Sequence, residues 1–430
     1  MSAPRPDRTF AMMFVVMLTI AAGNTALQSV LPALGRSLGV GDNWVAAAFS
    51  VSALLWVIAA PFWANRSDHH GRRAMVLLGL VGFCLSLLLC GLFLAAGING
   101  WIPGTAAFAL FVIGRMIYGG FGSAAPPAAQ AIIAGRTTRE ERTRALALLG
   151  SAFGLGTILG PAIAPYLVVG HLGTVHIGLA GPAFVGSAFG VVVLIAAARL
   201  LPEGGDMAGQ GAASAYPSIA GAPTGASVTV ATSDRGMAVG FFDRRIRGWM
   251  ILGLVMGHAQ AMTGQAIGFL IMDRLSLAPA DALQPTGLVL MVGAVSALLV
   301  QWGFIPLLNL TPATLAKIGL VIAAIGCAAT GLAGTLYGIA MGNALAAMGF
   351  GFIRPGFTAG ASLAVDAESQ GSVAGKVTSI NGASFVLGPS IGVGLYAFWR
   401  PLPYLTAAVA LVLLLGYAWL TLRERRPDVA

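Results

Sequence analysis

The chain has 430 residues, of which 57% are hydrophobic and only 9% charged, with a mean hydropathy of +0.85. An ordinary soluble domain, in which roughly 25% of residues are charged, is thereby excluded. The net charge of +9 would suit a nucleic-acid binder, but its placement along the chain argues for membrane topology instead.

Twelve apolar runs follow one another, at 10–34, 45–64, 74–96, 104–134, 144–168, 175–200, 247–271, 284–308, 312–334, 336–363, 373–398 and 401–422. Each approaches or exceeds the roughly 20 residues that a helix needs to cross hydrocarbon. None alternates apolar with polar residues as a membrane barrel strand does, so helices are expected. The first run is too long for a cleaved signal segment and reads as a retained span. With the N-terminus placed in the cytoplasm, nineteen of the 24 Lys and Arg fall in cytoplasmic segments, three in outer loops and two inside the membrane. That bias is the positive-inside pattern, and it puts both termini in the cytoplasm.

Residues 201–246 interrupt the apolar pattern with Gly, Ala, Ser, Pro and Thr. They read as a flexible cytoplasmic linker closed by a basic segment, 241–247. The expected organisation is a six-helix bundle over 1–200, the linker over 201–246 and a second six-helix bundle over 247–430. The bundles resemble each other. Gly120-Phe121-Gly122 with Pro126 matches Gly349-Phe350-Gly351 with Pro355 at an offset of 229, and Gly160-Pro161 matches Gly388-Pro389 at 228. Duplicated halves of this kind place a substrate site near the bilayer midplane, between the repeats.

Polar side chains at membrane depth concentrate in the first and fourth span of each half. They are Asn24 and Gln28, then Arg115 and Gln130, then His258, Gln260 and Gln265, then Asn343 and Arg354. Gln301 and Asn381 stand in the eighth and eleventh runs. Asn24 and Gln28 are four apart and His258 and Gln265 seven apart, so each pair shares a helix face. Lipid-facing amides are costly, so these faces should turn toward a water-filled cavity. The alternative for any one amide is that it bonds neighbouring helices. Arg115 and Arg354 stay charged at any working pH. Arg115 lies eleven residues into its run, roughly 16 Å from the outer end and too deep to snorkel easily. No carboxylate lies at mid-depth, since Asp68 and Asp273 sit at run ends. Two buried cations without a buried partner favour an anionic or carboxylate-bearing substrate. His258 is the one mid-span group that titrates near neutral pH, which makes it a candidate proton carrier beside a purely structural reading.

Ala64-Asn65-Arg66-Ser67-Asp68-His69-His70-Gly71-Arg72-Arg73, between the second and third runs, resembles the loop signature of the major facilitator superfamily. Asp68, Gly71, Arg72 and Arg73 match it, while Ala64 and His69 depart from it. The resemblance implies a conformational latch at these four residues, with Asp68 facing the start of the eleventh helix near Ser372. Arg115 followed by Gly119 resembles the fourth-span motif that the family links to proton coupling, with Tyr118 where Gln is usual. Gly156, Gly160 and Pro161 match the helix-packing signature of proton-driven exporters, whose closing Gly pair is Ala164 and Pro165 here. The tetracycline and multidrug branch often carries an acidic residue in the first span. This chain has Ile20 and Asn24 near that place.

The expected fold is therefore all-α and polytopic, twelve helices in two pseudo-symmetric bundles. The expected function is proton-coupled export of small organic molecules across a bacterial-type inner membrane by alternating access. Import or exchange of organic anions on the same fold is the alternative. Arg115, Arg354, Asn24, Gln28, His258, Gln265 and Asn343 are the expected substrate residues, and Arg115 and His258 the coupling residues. An enzyme would need paired carboxylates, a metal set or an activated nucleophile at depth, and none is present. Cys84, Cys90 and Cys327 lie inside apolar runs without disulfide or metal spacing. No nucleotide-binding Gly-rich signature occurs. The expected partners are a small-molecule substrate, protons and the lipid bilayer, with no cofactor, metal or nucleic acid, and the chain is expected to act as a monomer.

Overall fold

The computed structural model describes residues 8–137, 139–202, 239–308, 310–366 and 369–422. Most of the expected linker, 203–238, lies outside the described residues. The first six spans are α1 (Arg8–Ser37), α2 (Asp42–His70), α3 (Arg72–Ile98), α4 (Gly104–Phe121) continued by α5 (Ala125–Arg136), α6 (Arg139–Ile163) and α7 (Gly181–Leu200). The remainder are α8 (Arg247–Leu275), α9 (Leu283–Leu299) continued by α10 (Ile305–Leu308), α11 (Pro312–Leu332), α12 (Leu336–Leu363), α13 (Gln370–Phe398) and α14 (Leu402–Thr421). Apolar runs take this form because hydrocarbon offers the backbone no hydrogen-bond partner, and a helix satisfies its own N–H and C=O groups.

Among the described residues eleven helices are long and apolar enough to cross a membrane. The twelfth expected span is α8, which is 29 residues long. His258, Gln260 and Gln265 make it less apolar than the others, which is also what marks it as cavity-lining. Three interruptions depart from the simple runs. The helix expected from 175 begins only at Gly181, because Val169–Leu172 (β1) and Val175–Gly178 (β2) pair as an antiparallel hairpin. Asn99 fixes this hairpin, donating to the His176 carbonyl at 2.8 Å and accepting from the His176 N–H at 2.9 Å. The fourth span tightens at Gly122–Ala124, just before Pro126 and Pro127. The eighth widens into a π turn at Val300–Phe304, where Pro306 has no N–H to offer the preceding turn.

The internal repeat is visible as packing. In the first half α6 lies on α1, and a Cβ at Gly160 would collide with Thr25 and the α1 backbone. In the second half α13 lies on α8, and a Cβ at Gly388 would sit 2.5 Å from the Ala261 Cβ. Small residues at these crossings let backbones approach closely enough for dispersion and packing to hold helices together in lipid, where no hydrophobic drive acts between them.

Spans from the two halves meet along two related seams, α2 with α13 and α6 with α9. Both seams are close at one end of the bundle. There Ser50 and Ser390 hydroxyls are 2.8 Å apart, and Gly287 packs on Pro161 and Pro165. At the same end Arg36, at the end of α1, forms ion pairs with Asp42 at 2.7 Å and with Asp273 of α8 at 2.6 Å. Tyr396 donates to Asp273 at 2.6 Å, and Arg400 approaches the same carboxylate at 3.7 Å. This clasp joins α1, α2, α8 and α13. The basic 66–73 segment belongs to the opposite end.

The Ser50–Ser390 approach gives a direct check. A Ser50→Cys/Ser390→Cys variant with a protease site inside 201–246 should form an internal disulfide under mild oxidant. The two cleavage fragments should then migrate together on a non-reducing gel. Fragments that separate without reductant would show that this seam is open in the membrane.

Candidate functional site

The site begins with two arginines and the helices that carry them. Arg115 projects from α4 and is 4% exposed. Its Nη2 donates to Asn24 Oδ1 of α1 at 2.8 Å. The guanidinium also lies over the rings of Tyr118, at 4.8 Å, and Phe49, at 5.6 Å, while its Nε has no partner. Arg354 projects from α12, and its Nη2 donates to Gln260 Oε1 of α8 at 2.5 Å. Each arginine thus comes from the fourth span of its half and is met by an amide from the first span. Neither guanidinium forms an ion pair with a carboxylate among the described residues, so neither charge is neutralised by the protein. Leaving an arginine at the centre of a span costs at least about 2.5–3.5 kcal/mol.

Three adjoining cavities relate the two charges. The central one, about 300 Å³, lies between the halves and is lined by Asn24, Gln28, Thr157, Gln260, Gln265 and Phe385 among others. A small one of about 60 Å³ holds Arg115 and shares Asn24, Gln28, Phe153, Phe385 and Pro389 with it. A third, about 260 Å³, holds Arg354 and shares Thr157, Gln260, Gly264, Leu290 and Ala294. Because the cavities share lining residues, the guanidiniums stand at two ends of a row of adjoining cavities whose walls mix polar and apolar groups. Gln28 donates to Gln265 across the central cavity, at 3.4 Å. That amide pair bridges α1 and α8.

Of the expected substrate residues, Asn24, Gln28, Arg115, Gln265, Asn343 and Arg354 all line this space. Asn343 sits in the Arg354 cavity and donates to the Val289 carbonyl at 3.0 Å. His258 lies outside the lining of these three cavities. Its Nδ1 is 2.8 Å from the Leu254 carbonyl and 3.3 Å from the Ser384 hydroxyl on α13. A carbonyl only accepts, so the bond to Leu254 puts the proton on Nδ1 and leaves Nε2 as the basic nitrogen. Gln260, rather than His258, is the polar residue of α8 nearest the charge. Gln265, seven residues on from His258, lines the central cavity although His258 does not.

Two arginines of the basic turn bond within the first six spans. Gly71 has φ +87°, a conformation that glycine adopts without strain. Arg72 donates to the Ala131 carbonyl at 2.9 Å and Arg73 to the Ala198 carbonyl at 2.5 Å. Those bonds tie α3 to α5 and α7 within the first six spans. The Asp68 side chain lies outside the described residues. Gly156 and Gly160 pack α6 against α1, and Thr25 donates to the Gly156 carbonyl at 3.3 Å. Pro161 lines the central cavity. Sequence reasoning missed the Arg36–Asp273 clasp, because ion pairs between span ends distant in the chain leave no local signal. It also missed Tyr404, a buried aromatic that lines the Arg354 cavity.

Comparison with known proteins agrees with this architecture. The family model described as Major Facilitator Superfamily matches residues 13–381. Tetracycline resistance protein, class B, of Escherichia coli is 32% identical over 152 residues, which is 35% of this chain and 35% of that protein. Multidrug resistance protein 2 of Bacillus subtilis is 28% identical over 190 residues, 44% of this chain and 42% of that protein. The chain spans from 28% to 42% of the length of such curated relatives. Two solved structures share the fold over nearly the whole chain. The human organic anion transporter MFSD10 (TETRAN) is 19% identical, with a TM-score of 0.63 over 97% of this chain and 100% of that one. A bacterial homologue of the human lysosomal transporter Spinster, inward-facing and occupied, is 13% identical, with a TM-score of 0.72 over 98% of both chains.

Gly264 tests whether the cavities are open to water. It lines both the central and the Arg354 cavity, and a Cβ there meets nothing within 4 Å. In a background where Cys327, which also lines the Arg354 cavity, is replaced by Ser, Gly264→Cys should fold normally and react with a charged thiol reagent, whereas the buried Cys84 and Cys90 should not. A Gly264→Cys thiol that stays unreactive in folded protein would mean a dry, closed space.

Proposed function

The chain belongs to the Major Facilitator Superfamily, and we propose that it is a proton-coupled secondary transporter that exports small organic molecules bearing a negative group. The protein is a membrane transporter and not an enzyme. The observation that carries the finer reading is the pair of permanently charged arginines lining connected cavities with neutral amides as their hydrogen-bond partners. A carboxylate entering the space would supply the missing counter-charge. Bidentate bonding to a guanidinium suits a planar carboxylate.

In this proposal the lobes 1–200 and 247–430 rock about the central cavity and 201–246 joins them. The basic end faces the cytoplasm of a bacterial inner membrane, as the charge bias favours, and both termini lie there. The clasp of Arg36 with Asp273 then closes the outer side. Alternating access follows when binding energy differs between the clasped and unclasped arrangements. Asn24 and Gln260 hold the guanidiniums in place, and Gln28, Gln265 and Asn343 offer further donors and acceptors to the cargo. Arg115 and His258 are assigned to coupling, His258 through its basic Nε2. Asp68, Gly71, Arg72 and Arg73 shape the cytoplasmic side of the first lobe. Export over uptake is supported by the Gly156, Gly160 and Pro161 signature and by relatives described as resistance proteins. The buried arginines equally favour an exchanger or importer of organic anions, and counter-flow with labelled organic acids separates the two.

Arg115→Ala and Arg354→Ala should each lower flux of an anionic substrate in reconstituted vesicles by about 100-fold, the loss of roughly 3 kcal/mol of charge-assisted bonding. Both proteins should remain folded by thermal melting. Wild-type flux from either variant would reject the anion-site reading. For His258→Gln, the expected result is transport that no longer responds to an imposed pH gradient. An unchanged response removes His258 from coupling.

A further inference from the structure

The Arg354 cavity has a shape and a far end that the arginine does not explain. It runs between α9 and α12, which pack in parallel register. Gly293 abuts Asn343 near one end, and Gly351 abuts Ala297 and Val300 toward the other. Asn343 and Arg354 both line it and are eleven residues apart, which is about 16 Å along the helix. On α12 itself the wall between them is Ala346, Ala347, Phe350 and Gly351, an apolar floor without charge.

The two ends differ chemically. At the Arg354 end stand the guanidinium, whose one protein bond goes to Gln260, and the Gln301 amide. At the opposite end Tyr404 lines the cavity, is 1% exposed, and its hydroxyl has no hydrogen-bond partner. A buried, unpaired phenol costs on the order of 1–3 kcal/mol unless something accepts its proton. Beside it Asn343 spends an N–H on the Val289 carbonyl, which leaves its Oδ1 free to accept. Thr330 donates back to Gly326 at 2.8 Å. The far end thus offers hydroxyl and amide donors and acceptors, and among the described residues no cation lines it.

We propose that this slot is a two-ended subsite for an elongated organic monocarboxylate with a hydroxyl at its far end. The carboxylate meets Arg354 and Gln301, an apolar body lies along Phe350 and the Gly/Ala floor, and the terminal hydroxyl accepts from Tyr404 and donates to Asn343. A dicarboxylate is disfavoured, because its second charge would be buried against neutral groups. The inference rests on the anion-site reading of Arg354 and names the substrate class for it. A site built to pair a hydroxyl discriminates against analogues that lack one, since its own polar groups are then left unpaired.

The test uses full-length protein in nanodiscs and two probe series of increasing chain length, plain alkanoates and ω-hydroxyalkanoates, with affinity read by calorimetry. Affinity should rise with length, peak when the chain matches the slot, and then fall. At that length the terminal hydroxyl should improve affinity about 5- to 10-fold. Tyr404→Phe, which removes a single oxygen, should abolish that advantage and leave plain alkanoates unchanged. Arg354→Gln should weaken both series. A hydroxyl that confers no advantage, or an advantage that survives in Tyr404→Phe, overturns the two-ended subsite while the arginine reading stands. Binding of both series that is indifferent to Arg354→Gln overturns the anion site itself, and this inference with it.

Discussion

Two guanidiniums that cannot shed their protons sit deep among apolar helices and are met by neutral amides. Everything else in the interior follows from accommodating those charges. An ammonium could deprotonate and a carboxylic acid could take up a proton, but an arginine must be solvated. Asn24 and Gln260 provide first hydrogen bonds, the rings of Phe49 and Tyr118 add π electrons for Arg115, and the cavities supply room for water or for an anion. Interhelical polar bonds in membranes average roughly 0.6 kcal/mol, so the amides orient the charges more than they compensate them. Under the proposed function, that deficit is what gives an entering carboxylate its advantage.

Close helix crossings recur within each half of the packing around the site. Gly160 and Gly388 seat their helices against α1 and α8 with no space for a side chain, which makes each half internally tight. Contact between the halves includes small residues, hydroxyls and the clasp at one end, together with buried apolar side chains from both halves such as Leu31, Phe269 and Leu283. The clasp groups are partly solvent-exposed. The clasp is a network in which Asp273 meets Arg36, Tyr396 and Arg400.

Much of this was legible in the sequence because the membrane imposes blunt rules. Run length predicts the spans, and a polar residue inside a run predicts a cavity face, which Arg115, Arg354, Asn24, Gln28, Gln265 and Asn343 all occupy. What stayed hidden depends on tertiary contacts. Gln260 outranks His258 because helix α8 faces different neighbours on each side, and a shared helical face does not say which neighbour it meets. The hairpin at 169–178 arises from turn glycines and the Asn99 bond, features too short to disturb an apolar window. Tyr404 reads as a core aromatic in sequence and becomes conspicuous only through a hydroxyl with no partner. The Arg36–Asp273 clasp joins residues 237 apart in the chain.

The central claim is that a fixed, hydrated positive charge at position 354 engages the substrate. Arg354→Cys removes the charge, and the three native cysteines are buried. Modification with a cationic aminoethyl thiol reagent should restore flux of an organic anion, whereas an anionic sulfonatoethyl reagent should not. Equal recovery with both reagents, or no reaction with either in folded protein, would contradict the account.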